Sequence, residues 1–241
     1  MIQMNLIVDI GNSYSKFYVF ENDVLIDELK FVEREINLNL IFEKHKNIKN
    51  AIVSTVANNE IIAKILQKVQ HFVEFTHETQ IPINNLYESP KTLGLDRIAA
   101  VVGAWHLFKN QNVLIIDAGT AVTYDFLDSE NNYLGGNISP GLLTRFKSLN
   151  TFTKKLPLVN PKEDFQIIGK TTENAIQSGV QQGLIFEMES YIEHFEKEFS
   201  NLKVILTGGD CFFFDKKLKK TIFVVPNLIA LGLNQILKLN V

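Results

Sequence analysis

The order of hydrophobic and polar positions along the chain predicts alternating strands and helices. Short apolar runs bounded by polar turns are typical of strands, and apolar residues spaced three and four apart are typical of helices. In the first half, three strand-like runs are followed by helical and strand-like segments in alternation. These segments are strands at 4–9, 16–20, 24–29 and 51–56 and helices at 35–45, 60–70 and 96–108.

The second half opens with the same pattern as the first. An apolar strand ends in the motif Asp-x-Gly at residues 9–11 and again at 117–119, and an alternating strand returns after each glycine. The later segments are strands at 113–116, 122–126, 134–139 and 204–206 and helices at 172–199 and 227–239. A repeat of this length indicates duplicated domains that face each other. We therefore predict an α/β fold with a cleft between two domains, 1–110 and 111–241.

The composition is that of a globular protein and narrows the classes of function. The 241 residues are 46% hydrophobic, and 24 basic against 27 acidic side chains give a net charge of −3. This balance argues against nucleic-acid binding, which usually requires a basic surface. The one cysteine, Cys211, cannot form an internal disulfide, as expected in a reducing compartment. Without a signal segment or an apolar run of ~18 residues, we predict a cytoplasmic protein that does not bind a membrane.

The segment between the first two strands has the side chains of a phosphate-binding turn. In DIGNSYSK, residues 9–16, a glycine allows backbone N–H groups to point at an anion, and the amide, hydroxyl and ammonium groups add donors and a cation. Asp9 at its start could hold a hydrated Mg²⁺. A simple β-hairpin turn would use the same residue types. The second copy, DAGT at 117–120, favours a pair of hairpins that clamp a metal and phosphates.

Three further motifs combine glycine with polar side chains. GLDR at 94–97 has a carboxylate and a guanidinium at a predicted helix start, where the carboxylate either stabilises the helix dipole or polarises a substrate hydroxyl. The glycines of TGGD at 207–210 either let the backbone approach a flat ligand or form a tight turn. GGNISPG at 135–141 forms either a rigid turn under phosphates or the start of a helix.

In their order along the chain, DIGNSYSK, GLDR, DAGTAVTYD, GGNISPG and TGGD resemble the signature of the type III pantothenate kinases. The resemblance extends from Asp9 to Asp210, nearly the whole chain. It implies two ribonuclease-H-like domains of the actin, sugar kinase and Hsp70 superfamily, with ATP, Mg²⁺ and a monovalent cation, K⁺ or NH₄⁺, in the cleft. It also implies a homodimer that phosphorylates pantothenate to 4′-phosphopantothenate, the first step of coenzyme A biosynthesis.

The resemblance also implies roles for individual residues. Asp96 would be the proton acceptor, Asp117 would hold the monovalent cation and Thr120 would contact an ATP phosphate. The ATP-binding first loop would consist of Asp9, Ile10, Gly11, Asn12, Ser13, Tyr14, Ser15 and Lys16. The pantothenate contacts would be Tyr87, Gly94, Leu95, Asp96, Arg97 and Thr172, with Thr171 as an adjacent alternative to Thr172.

Two other functions are compatible with this fold. The first is a phosphotransferase with another small acceptor, such as a sugar, acetate or polyphosphate, and the family-like GLDR context argues against it. The second is a nucleotide-binding accessory factor of transcription without catalytic activity. The retention of Asp9, Asp96 and Asp117 argues against that second function, because such a protein has no use for three carboxylates in its cleft.

Overall fold

The chain folds into two compact units. The computed structural model describes residues 4–10, 15–31, 37–55 and 59–241. The first unit comprises Met1–Leu107 and Leu228–Val241, and the second comprises Phe108–Asn227. The division predicted at residue 110 therefore differs at the C-terminal helix, which lies in the first unit.

The secondary structure of the described residues agrees closely with the predicted segments. The strands are β1 (Met4–Ile10), β2 (Ser15–Glu21), β3 (Val24–Phe31), β4 (Ile48–Thr55), β5 (His71–Glu74), β6 (Asn84–Asn85), β7 (Val113–Ala118), β8 (Ala121–Leu127), β9 (Asn132–Pro140), β10 (Lys203–Thr207) and β11 (Phe223–Val224). The helices are α1 (Leu38–Lys44), α2 (Asn59–Leu66), α3 (Leu95–Leu107), α4 (Leu142–Phe152), α5 (Thr172–Glu198), α6 (Cys211–Asp215) and α7 (Leu228–Leu239). The hydrophobic pattern did not predict α4. None of the described helices combines the length and the apolar character needed to cross a membrane.

The first unit is built on a mixed five-stranded sheet with the order β3-β2-β1-β4-β5. Strand β1 pairs antiparallel with β2 and parallel with β4. Its residues Leu6, Ile7 and Val8 are fully buried, as expected for a central strand with both faces covered. Leu6 and Val8 share an apolar cluster with Leu38 and Ile41 of α1, and α7 contacts β1 and β4.

The second unit repeats this strand order. Five strands of the second, six-stranded sheet lie in the order β9-β8-β7-β10-β11, and β7 pairs antiparallel with β8 and parallel with β10. Asp9 is the last residue but one of β1, and Asp117 is the last but one of β7. The two Asp-x-Gly motifs therefore end equivalent central strands, and the predicted α/β fold with two duplicated units is confirmed.

Helix α7 belongs to the first unit because two glycines let it lie directly against α3. A Cβ atom on Gly232 would lie 1.8 Å from the carbonyl oxygen of Ala99, and one on Gly103 would lie 2.3 Å from that of Leu228. The fully buried Asn234 adds polar contacts, because its side-chain oxygen accepts a hydrogen bond of 2.8 Å from Asn5 on β1. Close backbone packing and this buried hydrogen bond together attach the C-terminal helix to the first sheet and to α3.

Candidate active site

The first hairpin places a carboxylate opposite an ammonium group. Asp9 on β1 pairs with Lys16 on β2 in the antiparallel register, and both side chains are half-buried. Burial raises the pKa of Asp9, Lys16 lowers it, and the negative charge of Asp96 raises it again. The ionised form of Asp9 is therefore disfavoured by its surroundings, and a bound cation would stabilise it.

The rest of the predicted first loop is only partly described. The positions Gly11, Asn12, Ser13 and Tyr14 lie outside the described residues. The flanking residues Ile10 and Ser15 are 8% and 1% exposed, so their side chains belong to the interior of the unit. Because the side chain of Ile10 is buried, any contact of this residue with a ligand would come from its backbone. The Ser15 hydroxyl has no hydrogen-bond partner within the described part of the chain.

Asp96 stands at the first turn of α3 in a fixed orientation. One carboxylate oxygen, Oδ1, accepts a hydrogen bond of 2.8 Å from the backbone N–H of Arg97. A Cβ atom on Gly94 would lie 2.4 Å from the same oxygen, so glycine at that position makes room for the carboxylate. The side chain of Asp96 is exposed. Its charge acts on Asp9, and the two motifs of the first unit thus contribute neighbouring carboxylates.

The guanidinium group of Arg97 lies against an aromatic ring. It is 5.6 Å from the centroid of Tyr87, and Arg97 is only 6% exposed. This geometry is a cation–π contact, which fixes the orientation of both side chains. The turn before α3 is held by His77, whose Nε2 donates a 2.7 Å hydrogen bond to the carbonyl oxygen of Leu93. None of the sequence motifs includes His77.

The carboxylate of Asp9 suits a magnesium ion that also binds phosphates. In the described part of the chain, no group of three or more His, Cys, Asp or Glu side chains could hold a metal on its own. Magnesium usually binds one or two carboxylates and takes its other ligands from phosphates and water. Asp9 fits that role, since a divalent ion would stabilise its ionised form, which burial and the charge of Asp96 disfavour.

In the second unit, Asp117 lies against the glycine turn that follows β10. A Cβ atom on Gly208 would lie 2.4 Å from Asp117 Oδ1 and 2.4 Å from the carbonyl oxygen of Ala118. Gly208 also has a φ of 91°, which other residues rarely adopt. The backbone N–H of Asp210 donates a 2.9 Å hydrogen bond to the Ala118 carbonyl oxygen. The DAGT and TGGD motifs therefore form one structure.

The joined DAGT and TGGD motifs place two carboxylates, those of Asp117 and Asp210, in partly buried positions. Burial raises the pKa of Asp210. The pKa of the Cys211 thiol is also raised, first by burial and then by the charges of Asp117 and Asp210. A cation beside Asp117 would relieve this repulsion. The sequence marked Asp210 only as the last residue of TGGD, because one carboxylate beside two glycines carries no separate signal of a cation site.

The other predicted residues of the second unit lie in exposed turns. Thr120 is exposed between β7 and β8, and Thr172 is exposed as the first residue of α5. The neighbouring Thr171 caps this helix, because its hydroxyl oxygen accepts a 3.2 Å hydrogen bond from the N–H of Asn174. The side chain of Thr172 is therefore the better candidate for a ligand contact. Tyr87 and residues 94–97 lie in the other unit.

Comparison with known proteins gives consistent results for sequence and structure. A sequence model of the type III pantothenate kinase family matches residues 5–194. The type III pantothenate kinase of Phocaeicola vulgatus is 45% identical over 98% of this chain and 99% of its own. A crystal structure of a Campylobacter jejuni protein described as a Baf family transcriptional activator has a TM-score of 0.64 at 24% identity and covers 98% of both chains. A glucokinase from an Antarctic psychrotroph has a TM-score of 0.54 at 10% identity and covers 99% of both chains.

The two structural similarities establish the fold, which is that of the sugar kinases and other actin-like ATPases. The family match covers most of the chain, and the curated relative is similar over its full length. The chain is therefore an enzyme, and it belongs to the type III pantothenate kinase family.

Proposed function

We propose that this enzyme transfers the γ-phosphoryl group of ATP to the primary hydroxyl of pantothenate, giving 4′-phosphopantothenate for coenzyme A biosynthesis. The observation that carries the proposal is the pair of neighbouring carboxylates, Asp9 and Asp96, in a chain of this family. We place the reaction in the cytoplasm, as predicted from the sequence.

In the proposed reaction, Asp96 accepts the hydrogen bond and then the proton of the attacking hydroxyl. Phosphoryl transfer passes through a loose transition state, so the enzyme acts mainly by positioning the reactants and stabilising charge. The bond from the Arg97 N–H holds the Asp96 carboxylate at the start of α3. The Arg97 guanidinium would bind the carboxylate of pantothenate, and the ring of Tyr87, 5.6 Å away, would limit where that group can lie.

ATP would be held by the first hairpin and by the turn that contains Thr120. Lys16 would add positive charge beside the phosphates, and Asp9 would hold a Mg²⁺ ion through its carboxylate. When bound, the metal would neutralise charge on the phosphate oxygens. Asp117 would hold a monovalent cation, K⁺ or NH₄⁺, in the negative surroundings that it shares with Asp210.

Activity is expected to depend on K⁺ or NH₄⁺, with Na⁺ as a poor substitute, and on Asp117. A large, weakly hydrated ion suits a site of carboxylate, carbonyl and phosphate oxygens better than Na⁺ does. Asp117→Asn keeps the shape of the side chain and removes its charge, so it should raise KM for ATP by about 10-fold or more and weaken the K⁺ dependence. Initial rates across a K⁺ titration, at equal folded fraction, measure both effects. A wild-type enzyme equally active in Na⁺ and K⁺ would contradict the assignment.

Pantothenate would also contact Thr172, and we propose that a two-fold dimer completes its binding site. Thr172 is in the second unit, whereas Tyr87 and Arg97 are in the first. Exposed Thr172 at the start of α5 is available for this contact. Light scattering at assay concentration is expected to give the mass of a dimer. A fully active monomer would be evidence against a shared site.

The proposed function is tested by offering a panel of acceptors with labelled ATP. We expect transfer of label to pantothenate, and no comparable transfer to sugars, acetate or polyphosphate. If the enzyme preferred one of these other acceptors, that acceptor would be its substrate, and the assignment of pantothenate would be wrong. Nucleotide binding without transfer to any acceptor would instead support an accessory factor without catalytic activity.

A further inference from the structure

The start of α4 is bonded directly to the turn that contains Thr120. The carbonyl oxygen of Thr120 accepts two hydrogen bonds, one of 2.7 Å from the Thr144 hydroxyl and one of 3.0 Å from the backbone N–H of Gly141. The same turn is closed on its other side by a 2.9 Å bond from the Gly119 N–H to the carbonyl oxygen of Ala121. Thr144 lies three residues after the GGNISPG segment and belongs to none of the motifs found in the sequence.

Gly141 permits this contact because it has no side chain. Its φ of −71° is available to any residue, so the conformation does not require glycine. A Cβ atom, however, would lie 2.0 Å from the carbonyl oxygen of Gly119 and 2.7 Å from that of Thr120. Both obstacles are backbone atoms, which cannot move aside without moving the turn. The final glycine of GGNISPG thus brings α4 into contact with the Thr120 turn.

Arg145, the next residue after Thr144, fixes the segment before α4. Its Nε donates a 2.7 Å hydrogen bond to the carbonyl oxygen of Pro140, and its terminal nitrogen donates a 2.8 Å bond to the Ser139 hydroxyl. The same nitrogen forms a 2.5 Å ion pair with Glu187 of α5. Glu187 in turn accepts a 2.9 Å hydrogen bond from Tyr124 of β8. The start of α4 is therefore tied to both β8 and α5.

We propose that Thr144 is a positioning residue for the nucleotide, because it fixes the backbone of the Thr120 turn, and that Arg145 holds the helix start from which Thr144 acts. This inference rests on the proposed contact between Thr120 and an ATP phosphate. Thr144 itself touches neither reactant. Its hydroxyl fixes one side of the nucleotide site and leaves the pantothenate contacts of the first unit unaffected.

Thr144→Val tests this directly, because valine keeps the shape and removes the hydroxyl. The Thr120 carbonyl then loses one of its two donors, and we expect nucleotide affinity to fall by about 5- to 10-fold, the usual cost of one such hydrogen bond. Binding of Mg²⁺–ATP is measured without acceptor, from the rise in melting temperature across a nucleotide titration. In turnover assays, KM for ATP should rise equally, while KM for pantothenate and kcat stay within about twofold. Thr144→Ser should restore the wild-type affinity.

Thr153→Val is the matched control, since the Thr153 hydroxyl donates a bond of the same 2.7 Å length to the Leu149 carbonyl oxygen at the other end of α4. Its nucleotide affinity should equal that of the wild type. Arg145→Lys, which cannot make the three contacts of arginine, should weaken nucleotide binding in the same direction. The proposal would be overturned if Thr144→Val bound Mg²⁺–ATP with wild-type affinity. It would also be overturned if Thr144→Ser failed to restore that affinity, or if Thr153→Val lost as much affinity as Thr144→Val.

The binding measurement also separates this inference from the proposed function. If the wild type binds Mg²⁺–ATP but does not phosphorylate pantothenate, the proposed acceptor is wrong, and the loss of affinity in Thr144→Val still supports the role of Thr144. If the wild type phosphorylates pantothenate and Thr144→Val binds nucleotide normally, the role of Thr144 is wrong and the acceptor stands.

Discussion

Replacing Asp96 by asparagine is expected to lower kcat for pantothenate phosphorylation by about 10²–10⁴-fold, the usual range for loss of a proton acceptor. Asparagine keeps the size of the side chain, and its carbonyl oxygen can still accept the 2.8 Å bond from the Arg97 N–H. The start of α3 should therefore keep its structure. What disappears is the negative charge that accepts the hydroxyl proton. Single-turnover rates with saturating ATP measure the chemical step without the contribution of product release.

Nucleotide binding should persist in Asp96→Asn, because the main ATP contacts are proposed to come from the first hairpin and the Thr120 turn. Asp128→Asn is a suitable control. Asp128 also uses Oδ1 to accept backbone N–H bonds, from Glu130 and Asn132 at 2.8 Å each, but it lies in the turn between β8 and β9. Its substitution should leave the kinetics unchanged. If Asp96→Asn turned over near the wild-type rate, Asp96 would not be the proton acceptor.

Much of the fold could be predicted from the chain because strands with covered faces leave a strong hydrophobic signal. The repeated Asp-x-Gly ending identified the duplication, and five strands of the second sheet repeat the order of the first. The predicted helix at 172–199 agrees with α5 to within one residue. In these elements, burial of apolar side chains determines the structure. The spacing of hydrophobic residues along the sequence indicates which side chains are buried.

The features that escaped prediction depend on contacts between distant residues. Helix α4 has buried side chains only at Leu142 and Phe146, so its apolar pattern is weak. The bonds of His77 to Leu93 and of Thr144 to Thr120 use common residue types at no characteristic spacing. Such hydrogen bonds become visible only when the fold has brought their partners together.

The position of α7 was unpredictable for a related reason. Its apolar spacing identifies a helix but does not say which sheet it covers, and proximity in sequence favoured the second unit. The deciding contact is the approach of two backbones at Gly103 and Gly232. Because α3 begins at Leu95, beside Asp96, this contact also determines where the proposed proton acceptor stands. Helix α7 thus supports α3, the helix on which Asp96 of the GLDR motif lies.

Gly232→Ala is accordingly expected to destabilise the protein by about 3 kcal/mol, at the upper end of the range for overpacking. The new Cβ atom would lie 1.8 Å from the Ala99 carbonyl oxygen and 2.8 Å from the Gly103 backbone nitrogen. Both are backbone atoms of α3, so the two helices must separate. For a chain of this size, the melting temperature should fall by roughly 6–12 °C. Because α3 carries Asp96, kcat/KM for pantothenate should fall as well, even where the variant is fully folded.

Gly179→Ala on α5 is the matched control, since a Cβ atom there has no atom within 4 Å and the position is exposed. Alanine is favoured over glycine in a helix by about 0.5–1 kcal/mol, so this variant should melt at a slightly higher temperature than the wild type. Opposite shifts in melting temperature, caused by the same substitution in two helices, separate the steric effect from the effect of helix propensity. If Gly232→Ala were as stable as the wild type, α7 could not lie against α3 at the observed distance, and the support it gives to Asp96 would have to come from elsewhere.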